Sequence, residues 1–424
     1  MKTILFMLLA LNLLTSCSLA GTGAQYLVAQ SNKPRNTSPA SSPSDQSRLV
    51  ADNAAFAFDL YRVLSSKPGN LFLSPYSIST ALVMAQAGAR GQTQAQINKA
   101  LHFTLPSASL HQSFNALQLE LNKREQNQSD ANQKDFQLKV TNALWGEKTY
   151  TFKAEFLDLL AENYGAGLKL VDFKTAPEPS RQTINAWVSD QTEQKIKDLL
   201  PQGSIDSLTR LVLTNAIYFK ADWSNPFTEK FTQPAEFTLL DGKKTQVQMM
   251  ATDAKYMYAK GIGYQAIELP YKSNKLSMFI ILPDEGKFSE VATALNGDGL
   301  SKAFASLELI QVNLRMPKFT FETSSNLVDS LEALGMTDAF SAELADFSGI
   351  DGTRDLFISH ALHKAFISVD EKGTEAAAAT ALVFQLVSMP MKIIDLTIDR
   401  PFLFYIFDKQ SGTLLFMGRL VNPG

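Results

Sequence analysis

Residues 371–384 read Glu-Lys-Gly-Thr-Glu-Ala-Ala-Ala-Ala-Thr-Ala-Leu-Val-Phe, and two conformations compete for them. Four consecutive alanines favour helix locally. They run into Leu382-Val383-Phe384, a β-leaning triplet, and then into the irregular Ser388-Met389-Pro390-Met391. A surface helix ending at a loop accounts for the composition alone, but an extended segment accounts for more of the residues. With a period of two, Thr374, Ala376, Ala378, Thr380, Leu382, Phe384 and Leu386 share one face, and Glu375, Ala377, Ala379, Ala381, Val383 and Gln385 the other. The first face carries only small or apolar groups; the second opens with a charge. No proline interrupts residues 371–389, so every amide is available to a ladder. Such a segment suits an exposed loop that slides between two existing strands, where small side chains matter because the strands must part to admit it.

Around this segment the chain has the make-up of an ordinary folded protein. Of 424 residues, 45% are hydrophobic and 19% charged, which excludes a disordered chain and allows one large domain or two to three average ones. Thirty-nine basic residues stand against 42 acidic ones, without the net positive field that nucleic-acid binders carry. A single cysteine excludes an intramolecular disulfide, and four histidines without a cysteine cluster supply no structural zinc pattern. Helical spacing appears in 54–64, in 79–87 and from Ile184 through Ile196 to Leu199. Strand-like runs are 136–145, 210–219, 276–282, 309–321, 356–369 and 402–407. Helices lead the first half and strands the second, without regular alternation, which points to one α+β domain of roughly 375 residues on antiparallel or mixed sheets.

Signatures of catalysis are missing. The chain has no G-x-S-x-G elbow, no G-x-x-x-x-G-K phosphate cradle, no G-x-G-x-x-G and no H-E-x-x-H. His360 and His363 lie three apart in a run that reads as a strand, where such positions face opposite ways. Each is expected to be structural, with no metal.

The N-terminus suggests export. Lys2 opens a short basic start, residues 4–14 run apolar, and Leu14-Thr15-Ser16-Cys17 follows. About eleven apolar residues fall short of the roughly 20 that span a bilayer, so residues 1–16 are expected to be a signal peptide. Small residues directly before a cysteine are similar to a bacterial lipoprotein signal, with Cys17 the lipidated first residue. A secretory signal cut after Ala20 is the alternative. Residues 17–46, rich in Ser, Pro, Asn and Gln, are expected to form a flexible tether with a reach of roughly 30 Å. That tether would hold a folded head, residues 47–424, on a membrane of the cell envelope, or release it to the periplasm or medium.

Long stretches of the chain resemble one family. The hinge EKGTEAAAATA (371–381) looks like that of the inhibitory serpins. NLFLSPYSISTALVMAQAGARGQT (70–93) is similar to the family's second helix region, and TNALWGEK (141–148) and LVLTNAIYFKADWSNPF (211–227) to two central strands of its large sheet. RPFLFYIFDKQSGTLLFMGRLVNP (400–423) is similar to its C-terminal signature. The resemblance covers about residues 50–424. It implies a serpin fold of three β-sheets with eight to nine α-helices and an exposed reactive-centre loop.

The same resemblance implies a suicide-substrate inhibitor of serine proteases rather than an enzyme. The protease cuts the loop and is held as an acyl-enzyme while the cut loop inserts as a new strand. Counting from Gly373 in the family's register places the scissile bond at Val387-Ser388, which suits elastase-like targets; Phe384, Leu386 and Met389 offer chymotrypsin-like sites nearby. Glu371, Gly373, Thr374, Glu375, Ala376, Ala377, Ala378, Ala379 and Thr380 would form the hinge. Ser74, Asn215 and His363 match the polar cluster beneath the large sheet, Trp223 the tryptophan where the loop first enters, and Lys318 and Glu371 an ion pair at the loop's base. A monomer without cofactor is expected, since no dense basic helix face stands ready for a polyanion. The alternative is a non-inhibitory serpin, a binding or structural protein that kept the fold; the permissive Thr374 and alanine run favour inhibition.

Overall fold

Residues 26–126, 136–374 and 393–424 are described by a computed structural model, and their strands join into two sheets. The seven-stranded sheet runs in the order β1 (Leu27–Ala29), β4 (Leu168–Val171), β3 (Phe136–Glu147), β5 (Leu211–Asp222), β13 (Gly373–Thr374), β12 (Ile358–Val369) and β11 (Phe319–Asn326). The other runs β14 (Ile393–Thr397), β10 (Glu308–Pro317), β7 (Lys244–Gly261), β8 (Tyr264–Pro270), β9 (Leu276–Pro283), β15 (Phe402–Asp408), β16 (Leu414–Leu420) and β2 (Leu71–Leu73), with β6 (Gln233–Thr238) beside β7. Two of the three expected sheets are thus one hydrogen-bonded path. The 18-residue β7 pairs with β6 and β10 along most of its length and with β8 at its end, so both share it.

The strand expected over 309–321 is two strands. Pro317 closes β10 in one sheet, and the chain passes through Lys318 into β11 of the other. Proline cannot donate to a ladder, and here it marks the change of sheet. Helices α1 (Pro43–Leu64), α2 (Pro75–Gln86), α3 (Gly91–Ala100), α4 (Ser107–Gln126), α5 (Ala154–Tyr164) and α6 (Pro177–Gln191) carry the first half. Four shorter ones, Phe288–Ala294, Gly297–Ala305, Val328–Ala333 and Ser348–Asp351, bring the α-helices among the described residues to ten.

All twelve residues of α2 are buried, and its polar Ser77, Ser79, Thr80 and Gln86 each make a side-chain hydrogen bond there. It lies beneath the inner face of the seven-stranded sheet, in a core that includes the stacked rings of Phe72, Phe404 and Phe416. The outer face has its own smaller core, where Ile184 and Val188 of α6 meet Trp145 of β3, Val212 and Ala216 of β5, and Leu362 of β12. With both faces covered, the first nine residues of β5 are all buried, the polar Thr214 and Asn215 among them.

The N-terminal expectation needs correcting over its described part. Residues 26–42 do not behave as a free tether: β1 pairs antiparallel with β4, and the residues after it lie against α4 and α5. The first helix begins at Pro43, capped by Ser42 in a reciprocal box with Asp45, so the folded body starts ahead of residue 47. Residues 1–16 and Cys17 lie outside the described residues. Among those described, no helix is long and apolar enough to cross a membrane.

A buried charge pair ties the end of α4 to β15, Arg124 against Asp408, with Asp408 also accepting from the amide and hydroxyl of Ser411. Removing Asp408 leaves Arg124 with only its partly exposed partner Glu120, one turn earlier on α4, at a cost of up to about 3–5 kcal/mol. Asp408→Asn is expected to lower the thermal midpoint by several degrees. The apolar double variant Arg124→Met/Asp408→Leu should recover most of that loss, both read by calorimetry.

Candidate functional site

The site is the seam where β5 and β12 run parallel, with residues 211–218 in register with 358–366. Midway along it His363 faces Asn215, both buried, and the imidazole Nδ1 bonds the Asn215 carboxamide oxygen. The His363 Nε2 accepts from the Ser74 amide at 3.3 Å, so the ring is the neutral tautomer protonated at Nδ1. Asn215 in turn donates from its Nδ2 to Ser77 Oγ and to Asn142 Oδ1, at 2.6 and 2.5 Å. Ser74 caps α2 by accepting from the Ser77 amide and donates its hydroxyl to the Leu415 carbonyl at 2.6 Å. Three expected residues therefore meet as one network. Ser77 and Asn142 were not foreseen, although Thr-Asn-Ala occurs at both 141–143 and 214–216 and the two asparagines stand directly opposite.

The upper end of the seam is closed differently. Residues 373–374 form a two-residue strand, β13, inserted between β5 and β12, with Gly373 opposite Asp222 and Thr374 opposite Ala221 and Val369. Only glycine fits at 373, because a Cβ there would lie 2.1 Å from the Ala221 carbonyl oxygen. Thr374 is fully buried, and its hydroxyl meets the Tyr271 hydroxyl at 2.8 Å. The Tyr271 ring stacks on Trp223 at 4.6 Å and 8°. Trp223 donates from its indole nitrogen to the Asp370 carbonyl and from its amide to that of Lys372. Tyr271 is the third residue missed; a lone tyrosine between two strands gave no signal.

Glu371 sits at the base of the loop, where Lys318 Nζ reaches it at 2.8 Å and the Thr232 hydroxyl donates to it at 2.7 Å. Partial burial pushes its carboxyl up, but the bonds from Lys318 and Thr232 outweigh that and hold it below the usual glutamate value. Residues 375–380 of the hinge, and Val387 and Ser388, lie outside the described residues. His360 is half-buried on β12, apart from the network of His363. Among the described residues no three His, Cys, Asp or Glu side chains gather as a metal site.

The sheet thus has a short strand already wedged into one end of a parallel seam, above a buried polar network. The profile of the serpins, serine protease inhibitors, matches residues 51–423. The chain belongs to the serpin family. It is 42% identical over 388 residues to the human leukocyte elastase inhibitor, covering 89% of this chain and all of that protein. An uncharacterised serpin-like protein of Thermococcus kodakarensis is 40% identical, over 87% of this chain and 84% of its own length. Uncleaved ovalbumin superposes with a TM-score of 0.79 at 31% identity, covering 88% of this chain and all of that structure.

These relatives overturn the export reading. The human, bovine and equine leukocyte elastase inhibitors align over their entire lengths with 89% of this serpin, so nothing in them remains to correspond to a leader, a lipidated cysteine and a tether. The placement as an exported, membrane-anchored bacterial lipoprotein is therefore not retained.

Burial also sets a pH response. Desolvation lowers the pKa of His363 to about 3 and that of His111, bonded to the Tyr164 hydroxyl, to about 4. The unfolded chain binds these protons near pH 6.5, so native stability is intact above that value and falls below it by about 1.4 kcal/mol per pH unit for each ring. The urea midpoint is expected to be level from pH 8 to 7 and to drop steadily from pH 6.5 to 5. His111→Gln should remove part of that slope, with His363 and His360, whose pKa burial also lowers, supplying the rest; an unchanged slope would contradict this account.

Proposed function

We propose that this serpin inhibits serine proteases as a suicide substrate, with elastase-like enzymes as targets and cleavage between Val387 and Ser388. The observation that carries the reading is the register of β13. Continued along the seam, that register sets Ala376 between Phe219 and Ile367, and Ala378 between Ile217 and Ala365. It sets Thr380 between Asn215 and His363, and Leu382 between Leu213 and Ala361. The alternate residues would thus enter the inner core as small or apolar groups. Thr380, the one hydroxyl of the run below Thr374, would arrive where the Asn215–His363 bond must break. It can give each of them a new partner, so the network exchanges hydrogen bonds and leaves none unmade.

The energetics agree. Insertion replaces one parallel pairing by two antiparallel ones, the more stable pattern. A dozen residues gaining about 1 kcal/mol per net hydrogen bond supply on the order of 10 kcal/mol. Losing one oxyanion-hole donor costs a protease roughly 3 kcal/mol. In this scheme the protease serine attacks the Val387 carbonyl, the Ser388 amine leaves, and the ester stays on Val387 while its strand moves. Distorting the protease by even one donor then stalls deacylation. The chain's own part is to be cut and to move, so it acts as inhibitor and not as enzyme. The names of its relatives point the same way: leukocyte elastase inhibitors match over nine-tenths of the chain, and a small β-branched Val387 suits a shallow primary pocket.

Mixing the protein with limiting pancreatic elastase should give a band at the summed mass on a denaturing gel. A released peptide beginning at Ser388 should appear in the mass spectrum. Clipping by elastase, chymotrypsin, subtilisin and trypsin alike, each enzyme remaining active, would make the protein a non-inhibitory serpin. Thr380→Val keeps the shape and removes the hydroxyl. It leaves buried polar groups short by about 1–3 kcal/mol, and is expected to divert a larger share of encounters into clipped, uncomplexed product without slowing the first cut.

A further inference from the structure

The segment ahead of α1 lies outside the residues matched by the family profile, which begin at 51, yet it is seated with care. Lys33 reaches both Asp158 and Glu162 of α5 at 3.1 Å, and the Ser31 hydroxyl donates to Asp158 at 2.5 Å. Arg35 donates to Asn115 and Gln118 of α4 at 2.9 and 2.7 Å, and Asn115 donates back to the Asn36 carbonyl at 2.7 Å. The body is shaped to receive it. A Cβ on Gly167 would lie 2.7 Å from the Ala29 carbonyl oxygen and 2.9 Å from Val28, so β1 fits because that position is glycine.

Tyr26 extends the attachment to the outer face of the sheet. Lys169 of β4 places its ammonium 4.4 Å from the Tyr26 ring and 4.7 Å from that of Trp187 on α6, with Trp145 of β3 edge-on to both rings. The helix held in this way is the one whose Ile184 and Val188 lie over β5 and β12. Any strand entering that seam must displace this packing, and the block β1-β4-β3-β5 must shift from β12-β11.

We infer that residues 26–42 form a strap that restrains opening of the β5–β12 seam by pinning β4, α5 and the covering helix α6 together. The ion pairs that fasten it are half-exposed, so they are weak singly and screened by salt. The strap is thus a clasp whose hold varies with ionic strength. The inference rests on reading the seam as the site of insertion, but seam opening is measurable on uncut protein without any protease.

The test is hydrogen–deuterium exchange on the full chain at 0.05 M NaCl, with amides of β15 and β16 as internal reference for global stability. In Lys33→Glu/Arg35→Gln, amides of 211–218 and 358–366 are expected to exchange at least tenfold faster relative to that reference. Adding Asp158→Lys and Glu162→Lys should restore Lys33→Glu to within about threefold of the parent. Gly167→Val, which unseats β1 without touching a charge, should reproduce the acceleration. Raising NaCl to 0.5 M should speed the seam severalfold in the parent and little in the charge variant. Faster exchange confined to residues 26–42 and 158–171, with the seam unchanged, would overturn the strap. Failure to trap elastase with normal exchange behaviour would overturn the proposed function alone.

Discussion

Everything distinctive about this serpin depends on one hydrogen-bonded seam that is satisfied but replaceable. Between β5 and β12 the backbone pairs in parallel, and at its middle a neutral histidine and an asparagine hold each other across the gap. Their other polar atoms are taken by Ser74, Ser77 and Asn142. A purely apolar seam would open only by exposing hydrocarbon, and an unsatisfied polar one would be unstable closed. On the proposed insertion, a network whose partners can be exchanged would permit both a closed form and an opened one within the same core.

Much of this was visible in the chain before any coordinates. The alternation of small residues from Thr374, the lack of proline and the repeated strand patterns led to the α+β fold and to the hinge. Of the residues that the resemblance singled out, Ser74, Asn215 and His363 meet in one network, Trp223 bonds the backbone of Asp370, and Lys318 pairs with Glu371. Tyr271 was not legible because its contacts, a hydroxyl bond to Thr374 across 103 positions of sequence and a ring stack on Trp223, are long-range, and no local pattern encodes them. The division at Pro317 was hidden for a related reason: both halves read as strand, and only the change of hydrogen-bonding partners separates them.

A polar, proline-containing stretch cannot build a core of its own, and composition alone therefore reads it as tether. Residues 26–42 need no core, because they borrow one: Arg35 enters a polar recess on α4, and β1 adds to an edge already present. Docking onto a finished surface leaves little trace in hydrophobic periodicity, since the apolar half of each contact belongs to another segment.

One end of the reactive loop is β13; the other is β14, whose five residues pair in parallel with β10. The loop is therefore a span anchored at both banks. While its peptide bonds are whole, strand entry at one bank must unzip the other, so covalent continuity itself keeps the native form in place. On the proposed mechanism the protease severs that span, and thereby acts as the trigger of the device that traps it. The energy of the transition resides in the inhibitor throughout, and the timing is supplied by the enzyme.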